Sequence, residues 1–376
     1  MRHPSTAYSF ALLRDELDRR IADGSVRRET AADAPEIVLY CYTNRAVYDN
    51  AWDPFVEMAR GLVLDHAAEK ILARPFPKFF NYGERNARVP DEPFEVLEKL
   101  DGSLGITFHD GRRWRVVTKG SFRSEQSAWA ERWLQTRDLS HLNVGTTYLF
   151  EIIYPENRIV VHYPFEGLVL LGAYNAEGWE LSRSDLASIA EALGARLCGA
   201  QSYASMREIL DAVGGFDATQ EGFVVRFESG YRVKIKGSEY LRIHRLISRV
   251  TPLALWEAWA AGDSLDAIRR EIPEEFWGDF DQIRGLLQAQ HLALIQAVET
   301  GAEPYQSLSD KELGLARATL PELLRTFLFT YRKGGPQWFE APKARDSIFR
   351  QIRPTGNALD GYVPSEGIVR MQSDDG

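Results

Sequence analysis

Lys99 closes a short apolar run, residues 94–99 (FEVLEK), and Leu100, Asp101, Gly102 and Ser103 follow at once. That order puts an amine at the end of a strand with a tight turn behind it. Such an amine is a nucleophile only when its pKa falls well below the roughly 10.4 of free lysine, through burial or neighbouring cations. Alone, Lys-x-Asp-Gly is a weak signal, because a solvated strand end followed by a turn looks the same. Lys234 and Lys236 alternate on residues 231–236 (YRVKIK), so both ammonium groups lie on one face of a strand. Like charges so placed suit an anion such as a triphosphate lying between them, although lysines also guard exposed sheet edges. Glu221 opens the run 221–227 (EGFVVRF), and Glu151 interrupts the apolar run 147–153 (TYLFEII). A carboxylate in such a setting needs a cation, a hydroxyl or a metal. Each has an ordinary structural reading; taken together they describe a cleft, assembled from several strands, that handles anions and metal ions.

The elements that position these residues are short. Further β-type runs cover 36–42, 61–65, 105–109, 113–118 and 167–174, with hairpin turns at Asp110-Gly111 and Ser229-Gly230. Helical stretches at 182–193 and 203–213 interrupt them, and Phe10, Leu13, Leu17 and Ile21 space an amphipathic helix near the start. The pattern predicts an α+β domain of antiparallel sheets over residues 1–248. The texture then changes. Thr251-Pro252 starts a helix, and Phe276, Phe280, Ile283, Leu287, Leu294 and Val298 form a helical stripe that also carries His291, read as a packed side chain. Ser309 with Glu312 makes a capping box, and a helix bearing Leu323, Leu324, Phe327 and Tyr331 stops at Gly334-Gly335-Pro336. Residues 249–350 are therefore expected to be all-helical, and the polar stretch 351–376 to be a loose tail.

Composition narrows the class without naming a function. A 44% hydrophobic, 26% charged chain of 376 residues is an ordinary globular protein with ample core. A net charge of −9 excludes a uniform cationic coat, so nucleic acid would be met by local basic surfaces. Arg112, Arg113, Arg115, Lys119, Arg123 and Arg132 are dense enough to suggest one; Arg242, Arg245 and Arg249 suggest another. Cys41 and Cys198 lack metal-ligand spacing and read as reduced, interior thiols. Neither a membrane-length apolar run nor a secretory leader is seen, so the expected setting is cytoplasmic, with no membrane and no obligate protein partner.

From about residue 60 to 244 the chain resembles the covalent lysyl-nucleotidyltransferases, and more closely the RNA ligase 1 family, which is related to the adenylyltransferase domain of fungal tRNA ligases. The resemblance is carried, in order, by Arg60-Gly61, residues 74–81 (RPFPKFFN), the Lys99 motif, residues 118–121 (TKGS), residues 150–160 with Glu151, Glu221-Gly222-Phe223, and residues 233–236 with Tyr240. It implies an antiparallel-sheet nucleotidyltransferase (ATP-grasp-like ligase) domain followed by a helical domain that helps choose the RNA. It further implies that Lys99 takes AMP from ATP with Mg²⁺ or Mn²⁺, passes it to an RNA 5′-phosphate, and that a 3′-hydroxyl then displaces it. A cleaved tRNA is one substrate the family suggests. By the same resemblance Glu221 supports the metal, Lys234 and Lys236 neutralise the α-phosphate, Phe80 stacks on adenine and Glu151 holds the ribose. Arg60, Lys78, Lys119 and Tyr240 line the nucleotide or pyrophosphate side. Leu104 and Gly105 stand where many relatives outside this branch carry an arginine, and no β-barrel pattern follows Lys236. The alternatives are a DNA ligase, an RNA-capping guanylyltransferase, or a nucleotide- or RNA-binding protein that keeps the fold without the chemistry.

Overall fold

The computed structural model describes residues 1–84, 87–272 and 276–365. The chain divides into two compact units, Met1–His244 and the part that begins at Arg245.

The first unit begins with helix α1 (Phe10–Ala22), capped by Ser9, whose hydroxyl accepts from the amide of Leu12. Its buried face, Leu13 and Leu17, follows the spacing seen in the sequence and packs against a four-stranded antiparallel sheet. That sheet runs β1 (Val26–Ala31), β2 (Ala34–Tyr42), β3 (Arg60–Asp65), β4 (Lys70–Ala73) in sequence order. Two one-turn helices, α2 (Asn44–Tyr48) and α3 (Pro54–Met58), fill the connection between β2 and β3.

Ten more strands follow: β5 (Phe80–Asn81), β6 (Phe94–Lys99), β7 (Ser103–His109), β8 (Trp114–Val117) and β9 (Thr147–Ile153). Then come β10 (Gly167–Tyr174), β11 (Arg196–Leu197), β12 (Ala200–Gln201), β13 (Gly222–Phe227) and β14 (Arg232–Lys236). They form two sheets, ordered β11-β10-β9-β7-β8 and β12-β6-β13-β14-β5. Pairings are antiparallel except β10 with β11 and β14 with β5. Residues 94–99, 147–153 and 167–174 are strands with the bounds their sequence predicts.

Helices α4 (Glu125–Gln135) and α5 (Arg183–Leu193) cover the β9–β10 sheet, burying Tyr148, Phe150, Ile152, Leu168 and Leu170. Helix α6 (Met206–Gly214) covers the other, setting Ile209 and Val213 on Val96, Phe223, Val225 and Phe227. Burying each such side chain contributes about 1.5–3 kcal/mol. Helix α7 (Ser238–Ser248) follows β14 directly and crosses the boundary between the units.

The second unit is helical among its described residues: α8 (Pro252–Ala261), α9 (Leu265–Glu271), α10 (Trp277–Ala302), α11 (Asp310–Ala316), α12 (Glu322–Gly334) and α13 (Pro342–Gln351), joined by short 3₁₀ turns. Thr251 caps α8 with Pro252 at the first position, and the Ser309–Glu312 capping box is present. The α10 stripe Phe280, Ile283, Leu287 and Val298 is buried. His291 packs among the rings of Trp259 and Phe349, and burial, reinforced by Arg345, lowers its pKa. The stretch expected to be loose after residue 350 is anchored at Tyr362 and Ser365. The Tyr362 hydroxyl and the Ser365 amide both donate to Asp279 Oδ1, at 2.8 and 2.9 Å, while residues 366–376 lie outside the described residues. No described helix is long and apolar enough to cross a membrane.

Candidate active site

Three strand ends converge on Gly222. In the β6–β13 ladder Gly222 pairs with Lys99, and in the β13–β14 ladder it pairs with Lys236. The register therefore fixes two lysines, 137 residues apart in sequence, on either side of the strand that Glu221 precedes. Gly222 has φ +151°, and a Cβ there would come 1.9 Å from the Ile235 carbonyl oxygen, so only glycine allows this approach. The outcome is a shared contact: Glu221 Oε1 lies 2.7 Å from Lys99 Nζ and 3.1 Å from Lys236 Nζ. Glu221 is almost fully buried, and its other oxygen, Oε2, has no hydrogen-bond partner.

Electrostatics at Lys99 run opposite to the expectation of a depressed pKa. Burial acts to lower it, but Glu221, Glu151 and Asp101 outweigh that, and the resting amine is held as an ammonium. Glu221 is held ionised in turn, because Lys99 and Lys236 overcome its burial. Lys234, one pleat away on β14, shows the depression instead. Burial first, then the charges of Lys78, Lys99, Lys236 and Arg60, bring it down to about 7.

The turn after Lys99 is clamped by hydrogen bonds. Asp101 Oδ2 accepts the amides of Val160 and Val161, at 2.7 and 2.8 Å, and Oδ1 accepts the Tyr240 hydroxyl at 2.8 Å. Burial and Glu221 push the Asp101 pKa up to about 6 against these three donors. Its own amide donates to the Tyr163 hydroxyl, and Ser103 donates to Asn157 Oδ1. Gly102 donates to Glu151 Oε1 at 3.0 Å; a Cβ on Gly102 would meet the Ile152 carbonyl at 2.6 Å. Glu151 comes from β9 and thus ties the second sheet to the turn after Lys99. Tyr240, expected to line the nucleotide, is buried behind Asp101, with Lys236 Nζ 5.1 Å from its ring.

The remaining basic residues gather around aromatic rings. β5 runs parallel to β14, with Phe80 beside Val233 and Asn81 beside Lys234, which brings the segment bearing Lys78 to the lysine face. Lys78 Nζ lies 5.0, 5.4 and 5.8 Å from the rings of Trp52, Tyr42 and Phe80. Lys119 Nζ lies 5.0 Å from Tyr42, and the Arg60 guanidinium 5.2 Å from Phe79. Arg60 is followed by Gly61 at φ +97°, where a Cβ would strike Ile106 Cδ1 at 2.3 Å. One Arg60 guanidinium nitrogen, Nη1, is buried without a hydrogen-bond partner. Phe80 is only 6% exposed and stands edge-on to Trp52, as a wall of this group. Tyr42 and Trp52 complete this group, and neither lies in a motif that marks it out in the sequence.

Of the basic residues expected to form a surface, Arg112, Arg113, Arg115, Lys119, Arg123 and Arg132, three have carboxylate partners. Arg115 is buried and bonded to Asp110 and Asp33, Arg113 reaches Asp33 and Glu131, and Arg123 lies 4.0 Å from Glu29.

The polyanion expected here fits the residues present: Arg60, Lys78, Lys119, Lys234 and Lys236 offer charge, and Arg60 offers an unused buried donor. For a divalent metal, the described residues hold no cluster of three or more ligating side chains. The orphaned Glu221 Oε2 suits an ion of the Mg²⁺ kind, which takes one or two carboxylates and completes its shell with phosphate and water.

Residues 58–240 match the profile of a family described as RNA ligase. An RNA ligase of Rhodothermus phage RM378 is 27% identical, over 49% of this chain and 58% of the relative. RNA ligase 1 of bacteriophage TS2126 is 29% identical, over 39% of this chain and 40% of its own. Among solved structures, a putative ATP-dependent DNA ligase from Aquifex aeolicus aligns over 85% of this chain and 80% of its own. Its identity is 17% and its TM-score 0.46, too low to bear on activity. The chain spans little more than half the length of the phage RM378 relative.

Proposed function

We propose, starting from a chain that belongs through residues 58–240 to the RNA ligase 1 family of nucleotidyltransferases, that this protein is an ATP-dependent RNA ligase joining 5′-phosphate and 3′-hydroxyl ends. The observation that carries the reading is the register that sets Lys99 and Lys236 on one oxygen of Glu221, with Lys234 on the same strand face as Lys236.

The chemistry follows from that arrangement. As its ion pair opens, Lys99 gives up its proton to solvent, and its nitrogen lone pair forms a bond to the α-phosphorus of ATP. The bond from that phosphorus to the bridging oxygen breaks, and pyrophosphate leaves with the electron pair. Glu221 is not left bare when Lys99 turns away, because Lys236 stays on the same oxygen. Lys234 and Lys236, fixed on β14, oppose the charge that builds on the α-phosphate. A divalent cation at Glu221 would add Lewis-acid neutralisation of phosphate oxygens. Next, an oxygen of the RNA 5′-phosphate attacks the same phosphorus, the P–N bond breaks and Lys99 regains a proton. Finally, a 3′-hydroxyl attacks the activated 5′-phosphate and AMP departs. Arg60, Lys78 and Lys119 receive the outer phosphates, Glu151 holds the ribose, and the helical unit from 249 to 350 contributes to the choice of RNA. Two buried thiols and a need for ATP suit a cytoplasmic setting.

Protein stripped of nucleotide, incubated with α-labelled ATP and Mg²⁺, should form a covalent adduct that Lys99→Ala abolishes. A GTP-only adduct points instead to a capping enzyme, and no adduct with either points to a binding protein. A panel of 5′-phosphorylated single-stranded RNA, nicked duplex RNA, nicked DNA and cleaved tRNA then tests the substrate. Preference for nicked DNA sinks the RNA assignment and leaves the adenylylation standing.

A further inference from the structure

The group of rings around Lys78 stands apart from the Lys99–Glu221–Lys236 contact, and the fold assembles it from three separate places. Tyr42 ends β2, Trp52 sits in the connection between α2 and α3, and Phe80 begins β5. The rings also support one another: Trp52 meets Tyr42 edge-on at 5.1 Å and Phe80 edge-on at 5.5 Å. The Lys78 segment is anchored from behind, its amide donating to the Glu57 carbonyl at 2.8 Å. Among the described residues no carboxylate comes within ion-pair distance of Lys78; burial and the charges of Arg60 and Lys119 disfavour its ammonium, while Tyr42 and the more distant Glu84 favour it.

A carboxylate would satisfy that ammonium and then compete with any incoming anion. Aromatic faces do the first without the second. Their quadrupoles stabilise the cation but accept no strong hydrogen bond, so the N–H donors stay available. Lys78 is also electrostatically linked to Arg60 and Lys119 on one side and to Lys234 on the other. Lys78 and Lys119 share the Tyr42 ring, at 5.4 and 5.0 Å, and several cations gathered there suit a chain of two or three phosphates, which carries several negative charges.

We propose that Trp52, Tyr42 and Phe80 form an aromatic cage that keeps Lys78 charged and open to a polyphosphate, and that Trp52 is the positioning residue of this subsite. Identifying the bound group as the outer phosphates of ATP rests on the ligase reading; affinity for polyphosphate does not. The subsite gives the protein a means of preferring a triphosphate to a monophosphate before any chemistry occurs.

The test uses inorganic tripolyphosphate and AMP as probes, titrated calorimetrically into nucleotide-free full-length protein. Trp52→Leu should raise the tripolyphosphate Kd at least tenfold and the AMP Kd less than threefold, while Trp52→Phe should recover most of the loss. In a Lys78→Met background the same Trp52→Leu change should cost less than threefold, since the ring acts through that amine. Circular dichroism and a melting curve establish that each variant folds. Should Trp52→Leu fail to fold, Trp52→Met fills the space without a π face and carries the same expectation. The cage is overturned by an unchanged tripolyphosphate Kd, by equal losses for AMP, or by a loss that persists undiminished without Lys78. An ATP adduct together with tripolyphosphate binding indifferent to Trp52 sinks the cage alone. No adduct from either nucleotide, with the binding pattern intact, sinks the ligase reading alone.

Discussion

Lys99 and Lys236 meet a buried carboxylate, whereas Lys78 meets three aromatic faces, and the two halves of the site differ accordingly. On the carboxylate side, charge is cancelled in the resting protein, and Lys99 is held protonated until that ion pair opens. On the ring side, charge is tolerated but not cancelled, and both Lys78 and Lys234 are pushed toward their neutral forms. Under the proposed reaction, one half stores the nucleophile in an unreactive state, and the other waits for an anion to complete it. A site made wholly of ion pairs would resist a polyanion; one made wholly of uncompensated cations would strain the fold.

The contrast breaks most visibly at Glu221. Glu221→Ala leaves two neighbouring ammonium groups without their counter-charge, and losing one partner of a buried pair costs about 3–5 kcal/mol. Urea unfolding should show that loss, and adduct formation should fall by at least about 10²-fold as the electrostatic frame is removed. Gly222→Ala ranks next. Its Cβ has no room beside the Ile235 carbonyl, so the ladder must shift, at about 1–3 kcal/mol and with Lys99 out of register. An unaltered melting temperature and unaltered adduct rate would remove the geometric basis of the shared contact.

On the ring side the expected effects are on ligand, not fold. Lys78→Met deletes a half-buried charge without stranding an opposite one, so stability should move by no more than about 1 kcal/mol while the KM for ATP rises about tenfold. A loss of several kcal/mol would mean that the rings and amine are structural after all. The smallest effect concerns pH. Lys234 titrates near 7 in the free protein and binds anions better when protonated, so binding takes up a proton above that pH. The tripolyphosphate Kd should therefore rise with pH, about fivefold between pH 7 and 8, and Lys234→Arg should flatten the curve.

Much of the carboxylate side was legible in the sequence because it depends on local pattern. The run 94–99 ends on Lys99, alternation puts Lys234 and Lys236 on one face, and both glutamates stand out against apolar neighbours. What the pattern could not show is the sign of the shift at Lys99, because that depends on Glu221, Glu151 and Asp101 arriving from other elements. The ring side was largely hidden for the same reason. Lys78 and Phe80 were in view, but Tyr42 and Trp52 lie upstream and resemble ordinary core residues. β5 is only two residues long, held by its pairing with β14 and not by any propensity of its own. The pairing of Arg113 and Arg115 was not legible either, because their partner Asp33 lies about 80 residues away in the β1–β2 turn.

The Tyr240–Asp101 hydrogen bond governs how this protein can be cut. Helix α7 contributes no nucleophile, yet its tyrosine is one of the three donors that hold the carboxylate two residues beyond Lys99. An expression boundary drawn at the last strand would keep every charged group of the centre and still unlatch the turn that aims the amine. A fragment meant to keep the Lys99 turn intact must therefore carry the first turns of α7 with it.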